Sequence, residues 1–285
     1  MTNQESPPLH GISVVSIATN VPGPVAAARL TALGATVTKV EPPSGDLIAR
    51  VAPAYYAELT AGQEVVALDL KTAEGQVAIE ALLSAADVFI TSHRPSALAR
   101  LGLDWAGVHA RHPRLNHVAI VGDPGPGAEV PGHDLTYQAV NGLLSARDGD
   151  TPHLPATLIA DLAGAERAAT AAVAALFARE RSGEGRYSEV ALSAAAEAMA
   201  DPLRHGLTAP GGLLGGALPG YAVYAAKEGF IACAALEPHF LARLEDLLGV
   251  TGGDAFAAAF SGRTAAEWVG WAREHDLPIE AVGGA

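Results

Sequence analysis

The sequence predicts an α/β protein with a parallel sheet, followed by a smaller α+β unit. Three observations lead there. A strand, a turn, a helix and a second strand fit within the first 41 residues, the spacing of a parallel β-α-β unit. Short β-branched apolar runs then alternate with helical stretches as far as residue 192. Beyond a Gly/Pro/Leu-rich stretch at 205–220 the pattern changes to a hairpin and two helices.

The elements follow in order. ISVVSIA (12–18) is apolar and β-branched, which suits a buried strand. NVPGP (20–24) turns the chain, and VAAARLTALG (25–34) is a helix closed by Gly34. ATVTKVE (35–41) is the second strand. No G-x-G-x-x-G joins them, so the dinucleotide fingerprint is absent. VVALDL (65–70) is a strand, and 72–86 is a helix with Thr72 as N-cap. DVFIT (87–91) is a strand and RPSALARLGL (94–103) a short helix. LNHVAIV (115–121) is a strand that runs into GDPGPGAEVPG (122–132), too rich in Gly and Pro for regular structure. A helix starts at Asp134. One long Ala-rich helix runs from 158 and stops at Gly183 to Gly185, and RYSEVAL (186–192) is one more strand. The expected domains are 1–204 and 221–285, joined by a linker at 205–220. The second holds a hairpin around Lys227-Glu228-Gly229 and helical patterns at 240–248 and 264–274.

The 285 residues are 49% hydrophobic but only 5% aromatic, so the expected core is built from small aliphatic groups. A formal net charge of −13 argues against nucleic-acid binding, which needs clustered Lys and Arg. The single cysteine, Cys233, excludes an intrachain disulfide and a cysteine zinc site. His112 and His117 have no third ligand nearby, so no metal is expected. Neither a signal sequence nor a membrane-spanning run is evident, and a soluble cytoplasmic protein is the expectation. With no G-x-S-x-G and no P-loop, serine-hydrolase and nucleotide-triphosphatase readings lack support.

His133 ends a Gly-rich loop beyond a strand, where function concentrates, although a His at a helix start can also be merely exposed. A helix N-terminus there favours the neutral, base-competent imidazole. Asp134 beside it is either an ordinary N-cap or part of the catalytic set. Asp161 lies in an apolar helical segment whose only other charges are Glu166 and Arg167. It is either the N-cap of a helix starting at Leu162, or a functional carboxylate with a raised pKa beside a cleft; the residues alone leave both open. Glu237 precedes Pro238, which suits the first helical position.

Several stretches together resemble the class III CoA-transferases (CaiB/BaiF type) and their racemase branch, which includes α-methylacyl-CoA racemase. GISVVSIATNVPGPVAAARLTALGATVTKVEPPSGD carries the family's strand, Gly-Pro turn, helix and KVEPP-GD pattern. VALDLKTAEG, ADVFITSHRPSALARLGLDW, PGHDLTYQAVNGLLS, LIADLAGAERAATAAVAALFARERSGEGRYSEVAL and YAVYAAKEGFIACAALEPHFLARL follow in the family's order, across residues 10–280. The resemblance implies a Rossmann-like CoA-binding domain, a small domain and an interlocked homodimer. It implies a CoA thioester as substrate with no tightly bound cofactor. Asn20, Val21, Pro22, Leu68, Lys71, Ser92, His93, Arg94 and Arg100 are the implied CoA contacts. In the racemase branch the positions matching His133 and Asp161 carry protons on opposite faces of the α-carbon, and Glu237 matches a glutamate that supports the histidine. In the transferase branch the position matching Asp161 is a nucleophile that forms an aspartyl-CoA anhydride. GHDL favours the racemase branch, because a transferase has less need of a base there.

There are departures. Pro42 stands where the family commonly has a phosphate-contacting Arg. Gln63 and Glu64 replace two cations of its NKRS, and RPG is RPS. Each lost charge-assisted bond is worth about 1.5–3 kcal/mol. Relatives typically continue past DLPIEAVGGA with a segment returning to the large domain, so either a shorter arm or an altered active-site wall is expected. Three readings follow: an acyl-CoA racemase or epimerase, a CoA-transferase, or a non-catalytic paralogue.

Overall fold

The computed structural model describes residues 6–144 and 151–283, which form two compact units, Met1–Ala200 and Asp201–Ala285. In the first unit the order is β1 (Ser13–Ser16), α1 (Pro22–Ala32), β2 (Thr36–Glu41), α2 (Leu47–Val51), α3 (Pro53–Thr60), β3 (Glu64–Ala67), α4 (Ala73–Ser84) and β4 (Val88–Thr91). Then come α5 (Pro95–Arg100), α6 (Trp105–Arg111), β5 (Asn116–Val121), α7 (Asp134–Val140), α8 (Ile159–Ser182), β6 (Tyr187–Ala191) and α9 (Leu192–Met199).

The six strands pair in parallel in the order β3-β2-β1-β4-β5-β6. This is the doubly wound order, whose direction of winding reverses between β1 and β4. Both faces of the central strands β1, β4 and β5 are covered, which is why these read as near-continuous apolar runs. On one face Val14, Ile90 and Val118 pack with Val25 and Leu30 of α1 and the small side chains of α8. On the other, Val15 and Phe89 pack with Ile79, Leu83, Leu98 and Val108. The buried stripe of α8 includes Ala165, Ala168, Ala169, Ala172 and Ala175. The helix stops at Gly183, whose φ of 76° is the left-handed conformation expected at such a stop.

The sequence reading misplaced several boundaries. The turn expected at 20–24 is mostly helix, because α1 begins at Pro22. First-turn N–H groups have no helical acceptor, so prolines there cost no bond. The strand expected over 65–70 ends at Ala67. The Asp69 carboxylate accepts the Lys71 N–H at 3.0 Å and its C=O accepts the Thr72 N–H at 3.0 Å, which turns the chain into α4. Thr72 caps that helix as expected, accepting from Gly75 N–H. The Gly/Pro loop holds a short 3₁₀ turn at Gly125–Glu129.

The second unit contains α10 (Asp201–Arg204), β7 (Tyr221–Ala225), β8 (Phe230–Ala234), α11 (Pro238–Leu248), α12 (Gly253–Phe260), α13 (Ala265–Glu274) and β9 (Ile279–Ala281). The expected hairpin is β7-β8, extended by β9 into an antiparallel three-stranded sheet. Tyr224, Ile231, Leu244, Phe256, Phe260 and Trp268 form its core. Cys233 is buried there as a free thiol.

Candidate active site

The reversal between β1 and β4 opens a crevice at the carboxyl ends of the strands, where the connections after β1 and β4 diverge. Thr19 N–H donates to Ser92 Oγ at 3.0 Å and ties the two connections together. Asn20 beside it holds a left-handed φ of 66°, a conformation that Asn tolerates better than most residues.

Two cavities meet here within the first unit. The smaller, about 240 Å³, is lined by Asn20, Pro22, Ser92, Arg94, His133 and Asp161, among others. The larger, about 790 Å³, is lined in part by Leu68, Lys71 and Arg100, with Glu41 and Pro42. Thr19 and His93 line both, so the two are adjoining compartments of one cleft. Burial lowers the His93 pKa, and its Nδ1 is buried without a hydrogen-bond partner. Val21 instead turns into the hydrophobic core. Gln63 and Glu64 are not among the lining residues. Glu237 belongs to the second unit, where it is exposed at the N-cap of α11 without a side-chain cap.

His133 occupies the N-cap of α7. The helix start is closed through Thr136: its Oγ1 accepts the His133 N–H at 3.1 Å and donates to the His133 C=O at 2.7 Å. His133 itself remains exposed at the cavity wall. Asp134 is not the N-cap of its own helix. It sits at the first helical position, is 5% exposed, and turns inward. Its Oδ1 accepts the backbone N–H groups of Ala160 at 2.8 Å and Asp161 at 3.1 Å, at the start of α8. Its Oδ2 accepts the Gln138 side-chain amide. Asp134 therefore caps a helix 26 residues further along the chain.

Asp161 is not an N-cap either; that position is Leu158, and Asp161 lies in the first turn of α8. The charges near it in sequence are engaged elsewhere, Glu166 with Arg29 at 2.6 Å and Arg167 with the Ala194 C=O at 3.0 Å. Burial, with the Asp134 charge adding to it, pushes the Asp161 carboxyl up to about 7. The carboxyl is therefore poised between acid and base near neutral pH.

Tyr137, one helical turn past His133, is a further cavity residue that sequence reasoning missed. Burial, Asp123 and Asp161 raise its pKa. Its hydroxyl lies against Gly122 and Gly132; a Cβ there would stand 2.3 and 2.2 Å from Oη. The spacing His133 to Tyr137 on a helix, with glycines at both ends of the preceding loop, is the signal that could have found it.

The ordinary reading of His112 and His117 stands. His112 pairs with Glu80 at 2.8 Å, and buried His117 bonds Thr91 at 3.0 Å. Among the described residues no cluster of three or more His, Cys, Asp or Glu fits a metal ion, and no helix is long and apolar enough to cross a membrane.

Comparison with known proteins bears on this geometry. The family model of CoA-transferase family III matches residues 9–252. The chain is 33% identical to succinate–glutarate CoA-transferase of Agrobacterium fabrum over 65% of its own length and 51% of that protein. It is 30% identical to human alpha-methylacyl-CoA racemase over 91% of its own length and 74% of that protein. It thus spans about half of the transferase and three quarters of the racemase. The crystal structure of a hypothetical protein from Mycobacterium tuberculosis matches with a TM-score of 0.84 at 25% identity, covering 98% of this chain and 86% of that one. A CAIB/BAIF family protein from Brucella suis gives 0.82 at 23% identity, covering 98% and 85%, a likeness of fold.

Proposed function

Since the chain belongs to CoA-transferase family III, we propose that it is an acyl-CoA α-carbon racemase or epimerase. The observation that carries this reading is the convergence of His133 and Asp161, from the starts of two helices, on one small cavity. The adjoining larger compartment takes the nucleotide end of CoA, with Lys71 and Arg100 facing its phosphates. The thioester then lies in the smaller one, between the imidazole and the carboxyl.

A thioester α-proton is weakly acidic, so its removal needs a base and a stabilised enolate together. Neutral His133 takes the proton, and the electron pair of the C–H bond moves onto the thioester oxygen. The Tyr137 hydroxyl, in the same cavity, is the candidate donor to that oxygen. Asp161, protonated below about pH 7, returns a proton to the opposite face. The product is the other epimer, with an imidazolium and a carboxylate that reset by proton exchange. An interlocked homodimer is the proposed assembly.

The test is deuterium incorporation at the α-carbon of 2-methylacyl-CoA substrates in D2O. Loss of epimerisation in His133→Ala and Asp161→Asn supports the reading. No exchange by the unmodified protein with any of a panel of branched acyl-CoAs, under conditions where calorimetry shows them bound, overturns it.

A second reading rests on the basicity of Asp161. A carboxyl at about 7 is near half-ionised at neutral pH and is a stronger nucleophile than an ordinary aspartate. As a CoA-transferase the chain would form an aspartyl-CoA anhydride at Asp161, detected by hydroxylamine trapping and ping-pong kinetics.

A further inference from the structure

Asp134 adjoins His133 in sequence and Asp161 in space, yet it does not line the cavity that both of them share. It is buried, and its acceptor capacity is spent on three donors: Ala160 N–H, Asp161 N–H and the amide of Gln138. Two of those donors are first-turn N–H groups of α8, which have no acceptor within their own helix. The third comes from Gln138, one turn along α7.

We propose that Asp134 is a positioning residue: its carboxylate ties the starts of α7 and α8 together and so holds Asp161 at the wall of the cavity it shares with His133. This rests on the catalytic reading of Asp161 above and adds a second effect to it. One oxygen of Asp134 accepts the backbone N–H of the very residue whose side chain carries the proton, so a fixed negative charge stands beside that side chain. The charge favours the protonated carboxyl. The other groups facing the cavity from the elements around Asp161 are His133 and Tyr137 of α7 and His93 and Arg94 after β4, while α9 contributes Leu192. Asp134 is the charged group that shifts Asp161.

Asp134→Asn separates position from charge. The Asn carbonyl oxygen still accepts from Ala160 and Asp161. Its amide donates to Gln138 once that side chain turns its Oε1 round, an atom that now has no partner. The carboxyl of Asp161 is followed by 13C NMR of aspartate-labelled protein, its signal assigned by its loss in Asp161→Asn. In Asp134→Asn the titration midpoint is expected to move from about 7 to lower pH while staying above 3.8, since burial remains. The pH profile of α-proton exchange moves the same way. Asp134→Ala, which removes the cap as well, is expected to lower kcat at least tenfold beyond Asp134→Asn with a smaller change in KM. An Asp161 midpoint unchanged in Asp134→Asn overturns the proposal; so does an Asp134→Ala protein, folded by circular dichroism, with the kcat of Asp134→Asn. Should the unmodified protein catalyse no exchange, the function reading fails while the NMR titration still decides the role of Asp134.

Discussion

Asp134 and Asp161 lie on different helices, yet the carboxylate of one accepts the backbone N–H of the other at 3.1 Å. One carboxylate is buried in hydrogen bonds, and the other is left at a cavity with its proton affinity raised. The same contact thus fixes the place of Asp161 and disturbs its titration.

Asp161→Asn should cut epimerisation by about 10²–10⁴-fold, the loss expected for a general acid or base, while stabilising the protein. The folded carboxyl titrates at about 7 and the unfolded one at 3.8. Its contribution to stability is therefore complete below pH 3.8 and lost as pH rises through about 7. Denaturant unfolding at pH 8 should find the variant more stable by on the order of 2–4 kcal/mol, with the gap closing toward pH 4.

His117 has the opposite slope. Burial lowers its pKa from 6.5 to about 4. The stability this represents, roughly 3 kcal/mol, is present above pH 6.5 and lost as pH falls toward 4. Between pH 4 and 6.5 the two residues oppose each other. Stability of Asp161→Asn should therefore rise with pH across that window more steeply than that of the unmodified protein, and His117→Phe in the same background should flatten it.

Gly122→Ala places a methyl 2.3 Å from the Tyr137 hydroxyl, but 3.4 Å from the ring carbon behind it. The single substitution should destabilise by about 1–3 kcal/mol and impair activity. Tyr137→Phe removes the oxygen, so the double variant should recover most of the stability without the activity, a non-additivity read from a double-mutant cycle.

Lys39 is fully buried and bridges two buried carboxylates, Glu41 and Asp46, with Tyr56 donating to Glu41 at 2.7 Å. Lys39→Met strands both acids and should cost about 3–5 kcal/mol in urea unfolding. Adding Glu41→Gln and Asp46→Asn should return part of it.

Lys71→Ala and Arg100→Ala act on the larger compartment. Each should weaken CoA binding by calorimetry roughly tenfold or more, raising KM with little change in kcat.

Much of this arrangement was readable in the chain. β1, β4 and β5 announced themselves as apolar β-branched runs, and Thr72 and Gly183 marked helix ends by their own chemistry. The helices α2, α3, α6, α9, α10 and α12 and the strand β9 went unread: none is longer than eight residues, and their register comes from packing on neighbours. The candidate site was legible as residue types, His133 and Asp161, which share one cavity, but their local hydrogen bonding was not. Both aspartates looked like caps of their own helices. Asp134 proved to cap α8 instead, a pairing made by the tertiary fold across 26 residues. Val21 was expected at the ligand and lies in the core, because α1 starts one residue later than Val21 and turns it inward.

The alanine stripe of α8 has a consequence for how the protein can vary. A helix of 24 residues, about 36 Å long, carries the proposed acid at its first turn and packs through a stripe of buried alanine methyl groups. A single added carbon at Ala172 or Ala175, far from any substrate, must lift the rod or tilt it, and its tip moves too. Packing changes in the interior of this chain are therefore also adjustments of the end that bears Asp161.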